Sequence, residues 1–337
     1  MAGAVPLGEK VAAAVPRQEQ VTSVHVSQWA LSWGRFRRQK RGMFGLTVLL
    51  LLIIAVIVIP MLSPFGVETV SGGIPFEPAG TLDHAQGMQQ HVHWLGTDVR
   101  SRDELVRLAY GGRLSLSLAI LSTAAFIIVG VIVGAVAGLY GGWADSGLMR
   151  VADFMLALPL LPMYVIAIRL FSTFTPRGQS IDVVHEVTKI GFVFVLFGWM
   201  GIARLVRGSI LTLRSRAFVE ASRALGASDL QILRKHLLPN SLAPVIVAGT
   251  FAVGELIIWE SLLSYFSQGL DDGLAPTWGN MAAGAEFYLD ILISNPNPFQ
   301  EIKGYMLLFP IVLIFMTVLA CNYIGDALRD ALDPRLK

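Results

Sequence analysis

Apolar residues along this chain gather in long runs without charge, separated by polar breaks. Met43 to Leu62 is twenty residues with no charged side chain, about the length that crosses a bilayer as a helix. Leu114 to Tyr140 is also free of charge. Further runs cover Phe154 to Phe171, centre on Ile190 to Ala203, begin again near Ser241, and end with Tyr305 to Gly325. The pattern predicts six membrane helices. The polar stretches 63–108 and 172–188 and the segment from Pro276 to about Gly304 fall on one side, the last partly at the interface. The breaks at 141–153 and 204–240 fall on the other. Composition agrees: 54% of the residues are hydrophobic and 15% charged, against about 25% charged in a soluble domain. The fold class is therefore an all-α polytopic membrane protein. A net charge of +2 gives no reason to expect a nucleic-acid partner.

The placement of charge orients these spans. Arg35, Arg37, Arg38, Lys40 and Arg41 precede the first run. Arg204, Arg207, Arg214, Arg216, Arg223, Arg234 and Lys235 stand in the longest internal break against only Glu220 and Asp229. Basic loops stay in the cytoplasm, and an even number of spans returns the C-terminus there. The expected organisation is a cytoplasmic tail over 1–42, a first helix over 43–62 and an extracytoplasmic segment over 63–108. A five-helix core follows over 109–326, with a cytoplasmic loop at 205–240, and then a cytoplasmic tail over 327–337. Residues 1–26 show no sustained period and read as a disordered tail. A cleavable signal peptide is not expected, because the first apolar run begins only at Met43 and has no small-residue cleavage site. The single cysteine, Cys321, excludes an internal disulfide. His84, His91 and His93 fit no closed metal-site spacing and read as exposed loop residues.

Inside the spans a few positions stand out. Gly130, Gly134 and Gly138 lie four apart, a stripe that lets another helix approach closely. Pro159 and Pro162 should kink the third span. Arg169 sits in the outer part of that span, where a charge costs about 2.5–3.5 kcal/mol at mid-bilayer and less when it snorkels; lining a pore and snorkelling are both open to it. Glu255 and Glu260 are five apart and so do not share a helical face.

The break at 216–240 reads as two short helices. Phe218, Ala221, Ser222 and Leu225 recur at helical spacing and Gly226 stands at a helix end. Ser228 with Gln231 makes a capping box. Leu230, Leu233 and Leu237 line one face of the second helix, and Pro239 is expected to stop it. The run Glu-Ala-Ser-Arg-Ala-Leu-Gly at 220–226, followed thirteen residues later by Pro239, resembles the "EAA" loop of ABC-importer permeases. Leu95-Gly-Thr-Asp-Val-Arg-Ser-Arg-Asp103, continuing to Arg113-Leu-Ser-Leu-Ser117, is similar to the signature before the second span of the "C" permeases for dipeptides, oligopeptides and nickel. Ser101 departs from the family's Gly there, which strains the turn if that Gly carries a positive φ. Ile257 to Phe266 resembles the family's "ILxExxLSF" pattern and explains Glu260 but not Glu255. Ser267-Gln268 replaces its Leu-Gly-type turn. Pro276 to Met281 and Gly325 to Lys337 also match, so the resemblance runs from about residue 28 to the end.

The resemblance implies a MetI-like permease core that forms half of a pore. The implied partners are a homologous second permease, two ABC ATPase subunits or domains, an extracytoplasmic solute-binding protein and the lipid bilayer; no cofactor is implied. The loop would dock in a groove of the ATPase. Phe218 and Leu225 would be its apolar anchors, Ala221 and Ala224 would allow close approach, and Glu220 and Arg223 would pair at the rim. Ser222 and Pro239 belong to the same motif, and Gly226 would reverse the chain. Asp98, Arg102, Asp103 and Arg113 are expected to be structural, the first three as a local ion-pair cluster. Glu255, Glu260 and Arg169 are candidates for the translocation path. The sequence has no GxxxxGK[ST] phosphate loop, so ATP hydrolysis falls to another polypeptide, and no catalytic set supports an enzyme. Di- or oligopeptides are the favoured cargo, with nickel, glutathione or oligosaccharides as alternatives. An ion-gradient-driven secondary transporter or channel is the competing class; it calls for inverted repeats with paired intramembrane charges.

Overall fold

A computed structural model describes residues 28–70, 79–82, 92–98, 100–173, 182–284 and 304–333. The tail 1–26, His84, His91 and the stretch 285–303 lie outside the described residues. An amphipathic helix α1 (Gln28–Arg38) leads into α2 (Lys40–Leu62). A small antiparallel pair, β1 (Thr81–Leu82) and β2 (Val92–His93), precedes the long helix α3 (Glu104–Tyr140). Then come α4 (Gly142–Leu156), α5 (Leu160–Thr173) and α6 (Val183–Arg214). The loop helices α7 (Ala217–Ala224) and α8 (Asp229–Ile232) follow, and a π turn (Leu233–Leu237) joins α8 to α9 (Leu238–Tyr265). Short α10 (Trp278–Ala283) and α11 (Gly304–Leu332) complete the chain.

Among the described residues five helices are long and apolar enough to cross a membrane, and the pair α4 and α5, bent by 96° at its joint, makes six if it counts as one span. Two expectations change here. Residues 141–153, read as a turn, are mostly helix α4, held by its own burial of Met149 and Ala152 one turn apart. The third span is broken rather than kinked. Pro159 stands in the joint, and Pro162 falls in the first turn of α5, where an N–H has no intrahelical partner to lose. The fourth span, centred on 190–203, extends at both ends to the 32 residues of α6.

The glycine stripe does what its spacing predicted. A Cβ on Gly130 would lie 2.7 Å from Ile202 Cβ, one on Gly134 would lie 2.9 Å from Val206 Cβ, and one on Gly138 would lie 3.0 Å from Ile210 Cβ. Helices α3 and α6 therefore touch backbone to backbone, and Phe194, Ala203, Val206 and Ile210 are fully buried beside them. On the other flank Arg113 solves a problem made by Pro60. Proline removes the N–H that would bond the carbonyl four residues back. Arg113 Nε donates to that carbonyl, Val56 O, at 2.6 Å, and its Nη2 donates to Ile57 O at 2.8 Å.

Both ends of the described chain lie at one end of the bundle. Phe36 of α1 is buried among Ile324, Ala327 and Ala331 of α11. Helix α11 runs antiparallel to α9, with Gly254 against Cys321 and Gly325 against Phe251. That sets the end of α11 beside the start of α9, the end of the bundle that carries α7 and α8.

Candidate functional site

The loop between α6 and α9 presents a rigid element. Helix α7 is rooted by Val219, α8 by Ile232 and the π turn by Leu237, all fully buried. The expected apolar face thus shifts: Leu230 is 59% exposed, and Ile232 takes its place inward. Helix α7 ends in a Schellman turn, with the N–H of Ala227 bonding Ser222 O at 3.0 Å and that of Gly226 bonding Arg223 O at 2.9 Å. Gly226 carries the required positive φ of 84°. Ser228 and Gln231 make the expected capping box. Pro239 does not stop the helix. The π turn shifts the hydrogen-bond register just before it, so the missing N–H falls in the first positions of α9. Phe218 and Leu225 project from α7, Leu225 at 89% exposure, and Glu220, Ala221 and Ala224 are exposed with them. Ser222 Oγ donates to Phe218 O, and Arg223 pairs with Asp229 at 3.1 Å.

Two arginines of the same end have a task the sequence did not assign. Arg207 pairs bidentately with Asp145 at 2.5 and 2.7 Å, and Arg204 pairs with Asp153. Both tie α4 to α6. Charge counting saw only a basic loop, because the partners lie 62 and 51 residues away.

At the opposite end the signature before α3 folds into a charge lattice. Asp98 accepts from the backbone N–H groups of Arg100 and Arg102 at 2.8 and 2.9 Å and from Arg102 Nε at 2.8 Å. Arg102 also reaches Glu68 at 2.9 Å and Asp272 at 3.0 Å. Arg107 joins Asp98 at 3.3 Å and pairs with Asp272. Burial alone would raise the Asp272 carboxyl, but Arg107 and Arg102 hold it below the usual carboxylate range. Burial opposes the charge on Arg102, yet its bonds to Asp98, Asp272 and Glu68 raise its pKa further. Ser101 does adopt the positive φ, at 58°, between two ligands of this lattice.

Asp103 departs from the expected cluster. It caps α3 by accepting from Val106 N–H at 2.8 Å and pairs with His93 Nδ1 at 2.8 Å. His93 is not an exposed loop residue: it is fully buried and stacked on Phe65 at 4.4 Å. Of the segment expected partly at the interface, residues 276–280 are buried and 281–283 half-buried. Trp278 is fully buried, its backbone N–H donating to Ser115 Oγ at 3.1 Å and its Nε1 to Leu108 O at 2.9 Å.

The three path candidates separate. Glu260 is 2% exposed and accepts from Thr277 Oγ1 at 2.6 Å, Ser264 Oγ at 3.1 Å and Ser115 Oγ at 3.4 Å. It ties α9, α3 and the cap of α10 together. Glu255 is exposed and accepts from Trp259 Nε1 at 3.2 Å. Arg169 is exposed at the far end of α5 and donates to Gln268 Oε1 at 3.1 Å.

A bundle of glycine-stitched helices long and apolar enough to cross a membrane, with a short exposed helix standing at one end, defines a multi-pass membrane protein. Comparison with known proteins makes the family explicit: the chain belongs to the binding-protein-dependent transport system inner membrane components, matched over residues 130–337. Residues 27–76 match the N-terminal TM domain of oligopeptide transport permease C. The oligopeptide transport system permease protein OppC of Bacillus subtilis is 32% identical over 329 residues, covering 98% of this chain and 97% of that protein. The dipeptide permease DppC of the same organism is 35% identical, covering 91% and 85%. The glutathione permease GsiD of Pectobacterium atrosepticum is 34% identical, covering 92% of each. Among solved structures, the inward-facing MetNI methionine ABC transporter aligns with a TM-score of 0.51 at 20% identity, over 67% of this chain and 96% of that chain. That likeness speaks for the fold alone.

Proposed function

We propose that this chain forms half of the pore of an ATP-driven importer for di- or oligopeptides and is driven through the loop at 216–240. The permease role in an ABC importer follows from the family. Peptide cargo is supported by relatives named for oligopeptides and dipeptides. One observation carries the coupling reading: α7 is a capped helix rooted by Val219 that leaves Phe218 and Leu225 uncovered at the end of the bundle. An apolar pair on a rigid stub is what a groove on an ATPase can grip. A helix held that way transmits closure as a rigid-body push. The remaining parts are a homologous second permease, two ATPase subunits or domains and an external binding protein.

The basic end, with both termini, faces the cytoplasm in this reading, supported by the arginine bias. Reconstitution tests the proposal. The chain co-purified with the second permease and ATPases should hydrolyse ATP in response to peptide-loaded binding protein and should take up peptide. Uptake by the chain alone would refute the half-pore assignment. Thiol labelling of a cysteine at position 215 from outside the cell would refute the orientation.

A further inference from the structure

We infer that Glu255, with the aromatic rings beside it, forms a subsite for an ammonium group of the transported solute midway through the bundle. The inference rests on the permease reading above and narrows it to a chemical class.

Glu255 lies ten residues before the end of α9, roughly 15 Å along the helix axis. Ile258, Leu262 and Tyr265 follow on the same face and are exposed with it, whereas Gly254, Leu256, Ile257 and Glu260 are buried. One carboxylate therefore stands in an apolar stripe that the rest of the chain leaves uncovered. Hydrocarbon is a poor solvent for it, and intramembrane carboxylates face a bundle interior or a water-filled cavity. Among the described residues its hydrogen bond comes from Trp259 Nε1 at 3.2 Å, and no cation pairs with it. The indole is itself fixed. Tyr164 meets Trp259 edge to face at 5.4 Å and braces Phe194 and Phe197 at 5.4 and 5.6 Å.

A carboxylate fixed against an indole is complementary to an ammonium ion. The carboxylate supplies charge and a hydrogen-bond acceptor, and the indole N–H and the rings packed behind it hold that carboxylate in place. A bare divalent metal does not fit, since it needs several oxygen ligands, and no group of three His, Cys, Asp or Glu gathers among the described residues. A peptide with an unblocked N-terminus brings the required cation.

The test uses the assembled transporter with Cys321→Ala and Ile258→Cys, which places a thiol one turn from Glu255 on the same face. A cationic methanethiosulfonate should react at 258 about tenfold faster than an anionic one of equal size, by local focusing of charge. Glu255→Gln should erase that preference. Tri-alanine should slow the cationic reagent, and N-acetyl-tri-alanine should not. In proteoliposomes, Glu255→Gln should cut tri-alanine uptake about tenfold, while stimulation of ATP hydrolysis by loaded binding protein persists.

A wild-type transporter that does not take up tri-alanine sinks the peptide-permease reading and the subsite with it. Normal wild-type uptake together with equally fast Glu255→Gln uptake, or with no charge preference at 258, overturns the subsite alone. If Glu255→Gln fails to assemble, protection at 258 with Glu255 intact decides the matter: protection by tri-alanine but not by its acetylated form supports the subsite, and equal or absent protection overturns it.

Discussion

Replacing Gly226 by valine tests the coupling loop with little collateral damage. A Cβ there would meet nothing within 4 Å, and φ is +84°, so the whole penalty lies in the backbone. Left-handed φ costs an L-residue about 1–2 kcal/mol, and a β-branched one sits at the upper end. Relief by leaving that region breaks the two turn bonds, Ala227 to Ser222 and Gly226 to Arg223, each worth about 1 kcal/mol net. Either route disfavours the present aim of α7 by about 2 kcal/mol, close to a 30-fold shift in population. The spans should be untouched, because Val219, Ile232 and Leu237 keep their burial. ATP hydrolysis stimulated by loaded binding protein, measured in proteoliposomes at limiting ATPase, should fall about 10- to 30-fold. Thermal unfolding of the membrane domain should not change. Gly226→Asn, which tolerates positive φ, should lose much less. Valine matching the wild type, or asparagine failing as badly as valine, would refute the reasoning.

Other perturbations probe how the bundle is held. Gly134→Ala pushes a Cβ toward Val206 and the Ala203 carbonyl, and such overpacking should cost about 1–3 kcal/mol, read as a lower unfolding temperature in detergent; an unchanged temperature would mean that α3 and α6 separate freely. Glu260→Ala strips the shared acceptor from Thr277, Ser264 and Ser115 and should cost about 1–3 kcal/mol, with Glu260→Gln recovering much of it; equal losses for Gln and Ala would remove the hydrogen-bond argument. Asp272 titrates below its ordinary range, so the stability it supplies is complete above its unfolded pKa and is lost progressively as pH falls from there through the lower folded value. The unfolding temperature should therefore hold steady down to the ordinary carboxylate range and fall in stronger acid, and Asp272→Asn should shrink that acid step.

How far the sequence reached follows the range of each interaction. The spans were legible because a bilayer core imposes a length of charge-free chain. The α3–α6 contact was legible because Gly130, Gly134 and Gly138 repeat on one face, and the Ser228–Gln231 box because it closes within three residues. What failed was long-range or depended on a choice between local rules. Arg102 reaches Asp272 across 170 residues and Arg207 reaches Asp145 across 62, and no local pattern pairs such charges. His93 looked exposed because its loop is polar, yet Asp103 and Phe65 bury it. Pro239 looked like a stop because the helix rule for proline is local. The π turn before it defeats that rule.

The same π turn bears on how the loop and the bundle communicate. From Asp229 to Tyr265 the chain runs as one 37-residue span, about 55 Å of helix. Its loop end is rooted by Ile232 and Leu237, and Glu260 bolts its far part to α3 and α10. Under the proposed coupling, a push on α7 would enter this rod at its buried root. On the way toward Glu255 lie an irregular turn, Leu233–Leu237, whose hydrogen bonds are already displaced from the α register, and then Pro244, which lacks an N–H to donate. Such turns relax more cheaply than a regular helix bends. The rod can therefore pivot near Leu237 while Glu260 holds its other end, and the face carrying Glu255 and Ile258 lies between those two points.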